Sequence, residues 1–374
     1  MLENGQISVR QFTVLTILFM LGPAILFSPS VLAAEAKQDA WMAAALGVGI
    51  GLLFVWLYTT IGNRFPGMTL VEYCEEILGK WLGKIVALLY FSFFFILAAL
   101  LLRNIGDFVT VQIMPETPIE VIHIMFLSVV VMGTRLGLEP IARAGEILMP
   151  WTIIFFLIVV FSIIPQIDFQ KIQPVFEGGI KPVIRGSLSV VAFPYLETVI
   201  MLMLYPFVNS INKVRKAFFT GSLIGGIVII IITALCILVL GADYTARNLY
   251  PSFVLARKID IADFLQRVEA IVAGMWFITI FFKLTICFYA SVLGLAQTFK
   301  LKEYRPLTLP LGMILVVLSI IVSPNMVYFQ TLLSKIWFPY TLTFGFFLPL
   351  LLLVVAIFRK KHLKGTNRSG EKDR

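Results

Sequence analysis

Apolar residues run through this chain in long blocks, and polar residues gather in short stretches between them. Scanned at the length needed to cross a bilayer, the blocks predict ten helical spans. They lie at about 10–34, 39–61, 82–110, 119–134, 142–165, 183–206, 215–240, 262–299, 306–323 and 335–358. The eighth block exceeds bilayer thickness and is expected to tilt or project. Residues 69–80, TLVEYCEEILGK, alternate apolar and acidic positions at helical spacing and suit an interfacial helix between spans two and three. The fold class is therefore an all-α polytopic membrane protein. Residues 1–358 form one membrane domain, and 359–374 form a basic tail, expected to be disordered and able to touch anionic lipid.

Two blocks carry a break. Gly22-Pro23 interrupts LTILFMLGPAILFSPSVLAA, and Phe193-Pro194 interrupts SLSVVAFPYLETVIMLMLYPF. Proline removes a backbone N–H and clashes with the preceding turn, while glycine lowers the cost of irregular backbone. Such backbone is tolerated inside a membrane only where protein buries it or a cavity faces it. The breaks fall in spans one and six, the first of each group of five. That placement predicts a 5+5 inverted repeat, about 10–165 and 183–358, with a binding site at the broken helices. A simple proline kink is the plainer reading of either break alone. Freed backbone at Gly22, Pro23, Ala24 and Ile25, beside a half-helix N-terminus, suits a carboxylate such as that of an amino acid.

Composition agrees with the pattern. The chain is 59% hydrophobic and 14% charged, with 33 phenylalanines, where a soluble domain carries about 25% charged residues. A net charge of +9 raises the question of nucleic acid, but the basic residues sit in short loops and the tail. They concentrate on one side: Arg10, Arg64, Lys80, Lys84, Arg135, Arg143, Lys213, Arg215, Lys216, Lys300, Lys302, Arg305 and the tail. This bias predicts both termini in the cytoplasm. The small residues of VLAAEA resemble a signal-peptide cleavage site, but the apolar run is long and broken, so a retained first helix is expected. Cys74, Cys236 and Cys287 are widely spaced and read as small apolar fillers. His123 and His362 are isolated. No phosphate loop, metal-ligand spacing or nucleophile set is present in the sequence, so neither an enzyme, a cofactor nor a metal is expected.

Several stretches in order resemble a known family: LGPAILFSPSVLAAEAKQDAW, EEILGKWLG, PETPIEVI and IQPVFEGGIKPVIRGSLSVVAFPYLE. Together, over essentially the whole chain, they resemble the B subunit of spore germinant receptors, within the amino acid–polyamine–organocation permease superfamily. The resemblance implies the leucine-transporter-type fold, the inner membrane of bacterial endospores, a nutrient ligand such as an amino acid, and two partners: a membrane A subunit and a lipoprotein C subunit. The runner-up function is an amino acid symporter. In this fold spans three and eight complete the pocket, which places Leu97, Leu284 and Phe288 with Phe193, Pro194 and Tyr195. Leu284 and Phe288 share a helix face, with the hydroxyls of Thr285 and Tyr289 on the adjacent one. Ordinary helix packing is the plainer reading for most of these positions.

Four ionisable groups fall inside spans: Arg103, Asp107, Glu197 and Lys283; Arg267 and Glu269 stand near the start of span eight. Intramembrane charge is costly and marks function by default. Glu197 is placed to cap the following half-helix or accept a proton. Lys283 is placed to take a coupling cation's role beside span one. Arg103 and Asp107, four apart, are expected to pair structurally near the outer end, with Arg103 also a gating candidate.

Overall fold

The computed structural model describes Glu3, residues 5–258 and residues 268–359. Arg267, the start of the eighth block and the tail beyond Arg359, with His362, lie outside the described residues. The long helices are α3 (Ala40–Arg64), α5 (Lys80–Gln112), α6 (Ile119–Leu136), α7 (Leu138–Ile163), α9 (Ile211–Leu240) and α12 (Val268–Thr298). Shorter ones are α1 (Val9–Leu21), α2 (Ala24–Ala36), α4 (Leu70–Leu78), α8 (Ile180–Val190), α10 (Ala242–Arg247), α11 (Pro251–Arg257), α13 (Thr308–Ile321), α14 (Met326–Thr331), α15 (Trp337–Leu342) and α16 (Leu348–Phe358).

Among the described residues, eight helical stretches are long and apolar enough to cross a membrane, and α1 and α13 are shorter apolar helices. The chain is an all-helical, polytopic integral membrane protein. One stretch, Ala24–Arg64, has 41 residues, about 60 Å of helix, twice the ~30 Å hydrocarbon core. It turns at Lys37, where φ is 49° and a 3₁₀ turn, Lys37–Asp39, joins α2 to α3.

Burial separates interior from periphery. The apolar window of Ile180–Met203 is 83% buried, that of Glu269–Thr298 72% and that of α5 61%. For Leu138–Gln166 the value is 17%, which leaves Trp151, Ile153 and Phe161 for lipid. The interior therefore consists of α1, α2, the Ile180–Met203 stretch, α5 and α12. Helix α1 packs on α7, α9 and α12, and α12 packs on α5, α6 and α7.

The amphipathic stretch forms α4. Thr69 and Glu72 make a capping box at its start, and Leu70, Val71, Tyr73, Cys74 and Ile77 are buried. The last block begins earlier than its hydropathy predicts. Asn325 caps α14 by accepting the Tyr328 N–H at 2.9 Å, so helical structure starts nine residues before the predicted start at 335. Between α14 and α16 the chain twice widens into π-helical turns, Leu332–Ile336 and Thr343–Phe347.

Near the N-terminus a short strap crosses one end of the bundle. Ile7 pairs in parallel with Val208; its N–H donates to Phe207 O at 2.9 Å and its carbonyl accepts from Asn209 N at 3.0 Å. Glu3 is buried. Its carboxylate accepts from Gly5 N (2.9 Å), Tyr304 Oη (2.8 Å), Tyr289 Oη (3.2 Å) and the Leu138 N–H that opens α7 (3.4 Å). Burial, then the Glu3 hydrogen bond and charge, push the Tyr304 phenol above its ordinary range, so it stays a donor.

Candidate functional site

Both breaks form as the sequence predicts. Helix α1 ends at Leu21, Gly22 takes φ 21° and ψ −130°, and α2 restarts at Ala24 with Pro23 as its cap. In the second, α8 ends at Val190, Phe193 leaves helical geometry with φ −142° and ψ 98°, and the chain continues as a 3₁₀ helix over Leu196–Met203. A positive φ excludes most side chains at Gly22. Space excludes them too: a Cβ there would sit 2.7 Å from Lys283 Cδ.

Lys283 and Glu197, read separately in the sequence, form one ion pair. Lys283 Nζ lies 2.5 Å from Glu197 Oε2, and both side chains are wholly buried. Trp337 Nε1 donates to the other oxygen, Glu197 Oε1, at 2.9 Å. Glu197 neither caps the following half-helix nor stands alone. The remaining faces of the ammonium meet aromatic rings, Phe19 at 4.7 Å and Phe193 at 4.6 Å from the ring centroids. The pair thus ties α12, the segment after the second break and α15 together, beside the end of α1. A buried pair of this kind is intolerant of losing one member, because the other is left charged without compensation.

Next to the pair lies a small cavity of about 20 Å³, lined by Pro23, Phe27, Leu97, Leu100, Leu101, Asn104, Phe193, Phe329, Leu333 and Trp337. That is room for about one water. Three expected site residues meet there: Pro23, Leu97 and Phe193. Phe193 and Trp337 belong to both features: each lines the cavity and touches the ion pair. Of the lining residues, Phe27 packs on Phe329, ring centroids 6.2 Å apart, and is backed by Tyr250 at 5.1 Å.

Other expected residues lie around this point. Ala24 is buried, and the Ile25 carbonyl accepts the Ser252 hydroxyl, which ties α2 to α11. Pro194 is buried. Tyr195 turns away from the cavity: its ring lies against Gly51 and Gly226, and its hydroxyl donates to Ser222 O at 2.9 Å. Leu284 and Phe288 are buried on α12 but outside the cavity lining. Phe288 reaches toward α13, with its Cζ 3.9 Å from where a Cβ on Gly312 would lie. Thr285 lies toward Gly133 of α6, and Tyr289 serves Glu3. Arg103 pairs with Asp107 at 3.0 Å, as their spacing predicts. His123 Nδ1 lies 2.9 Å from Ser319 Oγ.

The sequence reading missed Trp337, Phe329 and Asn104. Trp337 and Asn104 are polar atoms inside apolar blocks, a signal that was available. Phe329 lies ahead of the predicted tenth span and carried none. A second, larger groove of about 680 Å³ lies between α4, the start of α5 and the end of α12, lined by Glu72, Glu75, Lys80, Lys84 and Lys300 among others. None of the break residues borders it. Among the described residues no cluster of His, Cys, Asp and Glu forms a metal site.

Comparison with solved structures finds the same fold in membrane transporters. MhsT in complex with L-phenylalanine superposes with a TM-score of 0.67 at 15% identity, covering 95% of this chain and 99% of that one. Mhp1, a nucleobase-cation-symport-1 family transporter in a closed conformation with bromovinylhydantoin bound, gives 0.63 at 12% identity, covering 95% and 94%. In sequence, the chain is 31% identical to spore germination protein KB of Bacillus subtilis (strain 168) over 364 residues, 96% of this chain and 97% of that protein. It is 27% identical to spore germination protein YndE of the same organism over 363 residues, 96% and 98% of the two chains. The profile of the spore permease family, described as spore germination protein, matches residues 6–327. The chain belongs to the spore germination protein family.

Proposed function

We propose that this chain is the nutrient-sensing B subunit of a germinant receptor, and that a small amino acid binds between the two breaks. The observation that carries the reading is the cavity bordered by Pro23, Leu97 and Phe193, which shares two of its walls with the Lys283–Glu197 pair. A ligand that enlarges the cavity presses on Phe193 and Trp337 as well as on the outer wall, and a shift of either disturbs the pair. That supplies differential affinity between two states, which is what a ligand needs to bias an equilibrium. Leu284 and Phe288 stand one layer back on the helix that carries Lys283 and act on the pocket through packing. Arg103, paired with Asp107, is a gating candidate at the far end of α5.

In this reading α1 and α2 count as one broken span and α13 as another, which gives ten spans in two inverted groups of five. The membrane domain ends near residue 358, the basic tail lies in the cytoplasm with the N-terminus, and the membrane is the spore inner membrane. The partners are an A subunit in the membrane and a C-subunit lipoprotein. The methylenes of Lys283 fill the space beside Gly22 and its ammonium is fixed on Glu197, so no sodium ion is needed there.

A symporter is the second reading, favoured by the fold that MhsT and Mhp1 share with this chain. One experiment separates the two. The purified protein is reconstituted in vesicles under a sodium or proton gradient, and labelled amino acids are followed. The receptor reading expects saturable binding without accumulation. Concentrative uptake driven by either gradient would overturn it in favour of the symporter.

A further inference from the structure

We propose that Asn104 is a ligand-contacting residue, and that the cavity selects ligands that carry an amine N–H donor and no net charge. This rests on the reading above, in which the same cavity is the nutrient site.

Leu97, Leu100, Leu101 and Asn104 follow the spacing i, i+3, i+4, i+7, so α5 presents one face to the cavity. Asn104 is the polar member of that face. Of the other lining residues only Trp337 carries a side-chain polar atom, and its N–H already goes to Glu197. Asn104 is 3% exposed, and its Oδ1 is buried with no hydrogen-bond partner among the described residues. Buried acceptors are paired as a rule, and an unpaired one that borders a cavity is a place for a ligand donor. Opposite, Pro23 lines the cavity and α2, 13 residues long, begins at Ala24. Its first-turn N–H groups favour a carboxylate. Once the cavity widens, a zwitterion bridges the two, with its carboxylate at the start of α2 and its ammonium on Asn104.

The charge balance sets the selectivity. The charged side chains near the cavity are already matched: Arg103 with Asp107 and Lys283 with Glu197. A ligand with net charge would enter a desolvated site with nothing to compensate it. A zwitterion brings both signs.

The test uses the full-length protein in nanodiscs. Binding is measured for each standard amino acid and for ethylamine, isobutylamine and isopentylamine, the amines left when alanine, valine and leucine lose their carboxylates. Wild type is expected to bind at least one amino acid and none of the amines. Asn104→Leu is expected to weaken that amino acid about tenfold or more, or 1.4 kcal/mol, with a thermal midpoint at or above wild type, because a buried unpaired acceptor is gone. Asn104→Asp adds a carboxylate and is expected to gain amine binding while losing amino acid binding. Unchanged amino acid binding by Asn104→Leu overturns this inference and leaves the receptor reading standing. A lowered thermal midpoint for that variant makes Asn104 a structural residue and also overturns it. Failure of Asn104→Asp to bind amines overturns the charge selection. If wild type binds no amino acid, both this inference and the receptor reading fail.

Discussion

Gly22 does two jobs that one methyl group would end. Its φ of 21° disfavours any residue with a Cβ, and the Cβ would press on Lys283 Cδ at 2.7 Å. That carbon belongs to a side chain pinned at its far end by Glu197, so it has little freedom to retreat. Overpacking of this kind costs about 1–3 kcal/mol. Gly22→Ala is therefore expected to lower the thermal midpoint and to shift the ligand dose–response. A wild-type midpoint and wild-type sensitivity together would show that Lys283 yields freely. The pair itself invites a double-mutant cycle. Lys283→Met or Glu197→Gln alone strands a buried partner and is expected to cost about 3–5 kcal/mol. The double variant is expected to recover most of that stability. Additive losses in the double variant would mean that the two groups do not act as a pair.

Among the elements, the two irregular segments of the last stretch do what regular helices cannot. Tyr58 on α3 donates to Gly345 O at 2.6 Å and reaches Leu196 O at 3.3 Å. It thereby joins a π-helical turn to the 3₁₀ segment after the second break. Gly345 packs so closely that a Cβ would meet Leu196 O at 2.6 Å. Irregular backbone frees carbonyls, and inside a membrane each needs a donor. Tyr58→Phe leaves the Gly345 carbonyl without that donor, at a cost of about 1–3 kcal/mol. Hydrogen exchange should rise at 343–347 and 196–203 more than in α9; uniform exchange would count against the tie. The N-terminal strap is a second element of this kind. Glu3→Ala removes the acceptor shared by Tyr289, Tyr304 and Leu138. Proteolysis near the N-terminus is expected to quicken while the thermal midpoint of the bundle moves little.

At the scale of the whole molecule, the space between the two breaks is contracted. A cavity of about 20 Å³ holds roughly a water, less than any amino acid needs. A ligand therefore requires rearrangement, and the wall nearest to giving way is Phe329 and Leu333, from the short α14 and the π-helical turn after it. Interior walls on α5 are fixed by tight packing against α12 and α13. In Phe329→Cys, labelling by a membrane-impermeant maleimide should be slow at rest and change when a bound amino acid is supplied. Labelling that is fast and indifferent to amino acid would put the mobile wall elsewhere.

The sequence alone determined the membrane class, the long apolar helices and, through Gly-Pro and Phe-Pro, the positions of both breaks. A bilayer demands long apolar runs, and a Gly-Pro or Phe-Pro step within one leaves few alternatives to an interrupted helix. The Arg103–Asp107 pair was equally legible, because four residues on a helix is a contact distance. What lies far apart in the chain was not. Glu197 and Lys283 carry no mark of each other in sequence, and Trp337 and Phe329 come from a segment whose start hydropathy misplaced. Leu284 and Phe288 share a face, but periodicity does not say which neighbour that face meets; the packing turned Phe288 toward α13. Tyr195 stands beside the break in sequence and points away from the cavity in space, since the bend at Phe193 aims it at Gly51 and Gly226. Local rules place helices and their interruptions; only the meeting of distant helices decides which side chains share a cavity.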